Sequence, residues 1–93
     1  MAEEIRLHFD TRMSSIKMEY FISTLNQALD SFDHEKDMAA YIKRKFDKRF
    51  GEPWHCIIGK QFGSFVTANS NDSVQCRCIY PNNSVLLVLL FKF

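Results

Sequence analysis

His55 and Cys56 stand side by side in Trp54-His55-Cys56-Ile57-Ile58, and Cys76 and Cys78 flank Arg77. These are the residues whose types and spacing suit chemistry. A cysteine attacks as its thiolate, which at neutral pH needs a base or cation close by. Neighbours on an extended chain point to opposite faces, so His55 does not serve Cys56, and a catalytic pair needs a distant partner that the sequence does not identify. Cys76 and Cys78 share a strand face and, with a histidine, could hold zinc. A lone C-x-C without a second cluster fits small side chains on a sheet face better. The expectation is therefore no catalytic residue, no metal and no cofactor, with a thiol or zinc enzyme as the alternative from a different class.

Three further features matter less for catalysis. Lys43, Arg44, Lys45, Lys48 and Arg49 could meet phosphate, but they share a segment with acidic residues and lack a Gly-rich loop, so a solvated face is the better reading. His55 suits titration more than catalysis: buried where two subunits meet, its protonation would cost desolvation and loosen the contact. A core histidine with one satisfied hydrogen bond fits equally well. The stretch Lys60-Gln61-Phe62-Gly63-Ser64-Phe65-Val66-Thr67 has almost no side chain suited to catalysis. Its backbone amides could be the useful groups, since an exposed strand edge recruits an extended peptide as one more strand; an interior strand with no free edge fits the same pattern, which does not decide between them.

The elements that must position these residues follow from periodicity. Ile5, Leu7 and Phe9 alternate with Arg6 and His8, as in a half-buried strand. From Ser15 to Phe32 the apolar set Met18, Phe21, Leu25, Ala28, Leu29 and Phe32 follows helical steps, with Ser14 or Ser15 as cap. A second helix begins near Asp33 as cap, carries Met38, Ala39, Ile42, Phe46 and Phe50 on one face, and is stopped by Gly51 and Pro53. Strands are predicted for Trp54 to Ile58, Phe62 to Thr67, Val74 to Tyr80 and the closing VLLVLLFKF, whose continuous apolar run suits a central strand covered on both faces. Strand, two helices, then hairpin strands imply one α+β domain over residues 1–93, its helices packed on an antiparallel sheet.

Composition bounds the rest. In a chain of 93 residues, 46% hydrophobic with nine Phe, apolar surface is left that a partner subunit would cover. A net charge of +1 favours neither nucleic-acid binding nor disorder. The final apolar run is too short to span a bilayer, which needs about 20 residues. With no signal at the start and three unpaired-looking cysteines, the expectation is a soluble intracellular chain.

The segment EKDMAAYIKRKFDKRFGEPWHCIIGKQFGSFVT, Glu35 to Thr67, strongly resembles the eight-kilodalton dynein light chain family, and LLVLLFKF resembles its last strand. The resemblance implies a homodimer that exchanges a strand between subunits and is not an enzyme. It implies two symmetric grooves that hold extended segments, often containing Thr-Gln-Thr, of partners such as dynein intermediate chain. In this sequence the groove would comprise Glu35 and Lys36 at a helix start, Lys60 to Ala68 along the exchanged strand, and Val74, Cys76 and Cys78 as floor. Trp54, His55, Gly59, Phe62 and Phe65 would meet the partner subunit. The implied setting is cytoplasmic and cytoskeleton-associated, in a dynein complex, with no nucleic acid and no membrane. The sequence departs from the family pattern at Ala68, where a histidine is usual, at Phe65 in place of a tyrosine, at Phe93, and in Val74, Cys76 and Cys78, where aromatics are usual. These changes imply a shallower floor and altered, or purely structural, use of the dimer.

Overall fold

The computed structural model describes residues 4–60 and 72–92. Strand β1 (Arg6–Thr11) is followed by helices α1 (Ser15–Ser31) and α2 (Glu35–Phe50), then by strands β2 (Trp54–Gly59), β3 (Ser73–Ile79) and β4 (Val85–Lys92). The strand expected from Phe62 to Thr67, with Gln61 and Ala68, lies outside the described residues.

Local chemistry sets the boundaries. β1 runs to Thr11, two residues beyond the alternating apolar set, because the Thr11 hydroxyl donates to the Ser73 carbonyl at 2.9 Å and accepts from the Met13 N–H at 3.0 Å. Ser14 caps α1, its hydroxyl accepting from the Lys17 N–H at 3.3 Å. At α2 the cap position falls on His34, whose side chain makes no capping hydrogen bond, rather than on Asp33. Glu35 and Asp37 still fill its first turn and Lys48 and Arg49 its last, in the order that complements the helix dipole.

The sheet is antiparallel throughout, in the order β1-β3-β4-β2. β4 is interior and buried on both faces from Val88 to Phe91, as its uninterrupted apolar run requires. One sheet face takes the helices: Val74, Cys76 and Cys78 of β3, with Leu86, Val88 and Leu90 of β4, join Phe21, Leu25, Ile42 and Phe46 in the core. Trp54 is fully buried there, its ring 4.9 Å from Phe46 and 6.5 Å from Phe50.

Candidate functional site

The geometry around β2 follows from its register. Trp54, Cys56 and Ile58 stand opposite Lys92, Leu90 and Val88 of β4, and Trp54 belongs to the core. Strand alternation therefore turns His55, Ile57 and Gly59 to the face away from the helices. His55 is half-buried there, its ring 5.3 Å from that of Phe91, while Ile57 is 43% exposed. Of the residues expected to meet a partner subunit, His55 and Gly59 thus lie on the face away from the helices. Trp54 does not, because its even position gives it to the core. Phe62 and Phe65 lie outside the described residues.

Among the described residues β2 pairs with β4 alone and has no partner on its other edge. The opposite edge of the sheet is β1, which carries Arg6, His8 and Asp10, whereas β2 reads WHCIIG and carries no carboxylate, lysine or arginine. Charged side chains discourage strand pairing, so β2 is the edge suited to receive another strand.

α2 packs over β2 and runs antiparallel to it through a short connection. Its 16 residues extend about 24 Å and the strand's six about 20 Å, so the helix start returns to the strand's end. Glu35 is half-buried at the helix start, and Lys36 and Lys60 are exposed. His34 gives the first turn of α2 no side-chain cap, while the Asp37 and Met38 N–H groups both donate to its carbonyl at 3.1 Å.

Val74, Cys76 and Cys78, expected as a groove floor, are instead enclosed under the helices at 0–2% exposure. The outward members of β3 are Ser73, Gln75 and Arg77, one position out of step. The signal was in the sequence: V-Q-C-R-C-I alternates, and the apolar half of an alternating strand belongs to the core. A cavity of about 440 Å³ opens on the face away from the helices, lined by His8, Asp10, Gln75, Arg77, Leu87 and Leu89. None of these was singled out from the sequence as a binding residue, and only the register of β3 on its two neighbours brings them together.

The thiols are not arranged for catalysis. Burial pushes the Cys56 thiol up to about 12. The hydrogen bond between Cys76 and Cys78, with burial, pushes the Cys76 thiol up, and the same bond lowers that of Cys78, which is fully buried under the helices. Among the described residues no group of three His, Cys, Asp or Glu side chains could hold a metal ion, and no helix is long and apolar enough to cross a membrane.

A helix pair packed on one face of a four-stranded antiparallel sheet defines a small α+β domain. Comparison with known proteins narrows that class: over residues 4–93 the sequence matches the family described as dynein light chain type 1, and the chain belongs to the dynein light chain family. That family and its fold are non-catalytic, and the reading of this chain as no enzyme rests on that membership. Two solved structures of the dynein light chain-like domain of the Fasciola hepatica calcium binding protein FhCaBP2 are similar in fold. A mercury derivative matches with a TM-score of 0.69 and 21% identity, over 100% of this chain and 95% of that one. A native crystal form matches with a TM-score of 0.65 and 19% identity, over 98% of this chain and 92% of that one.

Proposed function

We propose that the chain acts as a strand-exchanged homodimer that holds extended segments of partner proteins by strand addition, as an accessory subunit of a dynein motor complex. The observation that carries this reading is the uncharged edge of β2, which has no partner among the described residues and is followed in the sequence by Phe62 to Thr67. In the homodimer that segment pairs with β2 of the other subunit and offers its outer edge to a ligand. Glu35 and Lys36, at the uncapped start of α2, close the groove and receive a ligand side-chain oxygen. Two grooves per dimer make the second binding event intramolecular, so two partner chains are held side by side. Segments of dynein intermediate chain are the first candidates, in a cytoplasmic, cytoskeleton-associated setting.

The test is a titration of ¹⁵N-labelled protein with a Thr-Gln-Thr peptide, read residue by residue in amide spectra. Shifts confined to Phe62–Ala68, the start of α2 and the face lined by Gln75 and Arg77 support strand addition. An intact dimer with no shifts at millimolar peptide rules out this ligand class.

A further inference from the structure

The cavity on the sheet face away from the helices has two unlike walls. His8 pairs across to Arg77 and Asp10 to Gln75, which makes the β1–β3 side polar. Leu87 and Leu89 of β4 stand in register with Arg77 and Gln75 and make the other side apolar. Its volume, about 440 Å³, lies within the range of ligand pockets. His8, Asp10, Gln75 and Arg77 are all exposed, and the ion pairs among the described residues, Lys17–Asp72 and Lys43–Asp47, leave Arg77 out.

An exposed guanidinium in no ion pair among the described residues, set beside the half-buried Leu87 and the buried Leu89, selects what covers it. Its planar fork matches a carboxylate through two parallel hydrogen bonds, whereas an apolar or basic side chain placed over it would bury a charge without compensation. Asp10 lies one register step of two residues further along, a spacing of about 7 Å that equals the repeat of same-side residues in an extended chain. Acceptor and donor sites on the wall therefore match the period of a strand-like ligand.

The geometry points to an acidic extended segment as the occupant of this cavity: an Asp or Glu seated on Arg77, a hydrogen-bond donor two residues away facing Asp10, and apolar side-chain surface against Leu87 and Leu89. The assignment rests on the strand-addition reading above and adds to it the chemistry of the partner.

The test uses synthetic Thr-Gln-Thr peptides in which each flanking position is set in turn to Glu, Ala or Lys. They are titrated by fluorescence anisotropy into the wild-type homodimer, Arg77→Gln and Arg77→Glu. Arg77 is exposed, so both variants retain the fold, and the comparison of Glu with Lys on the wild-type protein needs no variant. At one or two positions Glu binds the wild type about tenfold more tightly than Lys. That preference disappears in Arg77→Gln and reverses in Arg77→Glu. Peptides that bind all three proteins with one unchanged preference overturn the acidic-segment assignment and leave strand addition standing. If none binds the wild type or either variant, both readings fall together.

Discussion

Asp47 joins the end of α2 to the start of β2 through both of its carboxylate oxygens. One accepts from the Lys43 ammonium at 2.6 Å and the other from the Trp54 N–H at 2.7 Å, while the Asp47 carbonyl accepts from the Gly51 N–H. Burial opposes ionisation of this carboxyl, but the hydrogen bonds from Lys43 and Trp54, with the charges of Lys43 and His55, outweigh it and hold the group below its ordinary value of 3.8. Asp47→Ala leaves the Trp54 amide without its acceptor, and a loss of about 2 kcal/mol in urea unfolding is expected. Because the folded value is the lower one, this contribution is complete above the unfolded value and fades as pH falls towards the folded one. The gap between wild type and Asp47→Ala should be full at pH 6 and shrink as the pH drops below about 4; a gap independent of pH would remove the carboxylate from the account. The thiols make a second prediction at this scale. Burial pushes the Cys56 thiol up to about 12, so it stays protonated, and Cys76 and Cys78 are enclosed under the helices at 0–2% exposure. A disulfide reagent should therefore titrate almost no thiol in the native protein and all three in denaturant. Fast labelling of Cys56 in the folded chain would restore the thiol-enzyme alternative.

At the scale of elements, the helix stop is the clearest case of a residue dictating conformation. Gly51 closes α2 at φ 83°, in a region that L side chains rarely adopt, and an added Cβ would meet nothing nearer than the Lys92 ammonium at 3.8 Å. Gly51→Ala should therefore destabilise by about 1 kcal/mol through the backbone alone, with unchanged peptide binding; an unchanged urea midpoint would show that the turn relaxes without cost. This stop was legible in the sequence, as were the helical stripe Met38, Ile42 and Phe46 and the interior position of VLLVLLFKF, because each is a local pattern with one physical meaning. The facing of β3 was legible too, yet Val74, Cys76 and Cys78 were expected at the groove by analogy with aromatic positions, against the alternation that sends them to the core. The cavity was not legible. It depends on His8 meeting Arg77 across 69 positions of chain, and on Arg77 meeting Leu87, pairings fixed by strand register and by no local periodicity.

At the scale of the whole molecule, the sheet has apolar side chains on both faces and helices on only one. Away from the helices β2 presents the half-buried His55 and the exposed Ile57, a band beside the buried Phe91 of β4 and continuous with the edge of β2 that has no partner among the described residues. The exposed part of this band suits cover by a second copy, as in the strand-exchanged homodimer proposed above. If so, folding and association are linked, and the melting temperature should rise with protein concentration instead of staying constant. His55 lies within this band, half-buried with its ring against Phe91. Lysine there places a permanent ammonium where the partner's apolar surface must come, and such a charge resists burial without a counter-ion. His55→Lys should therefore weaken the dimer at neutral pH by at least about tenfold and shift its sedimentation towards the monomer, while the helix content of each chain is retained. A His55→Lys protein that sediments as an intact dimer at the same dilution as wild type would mean that the two copies meet elsewhere, and this edge of β2 would then need another occupant.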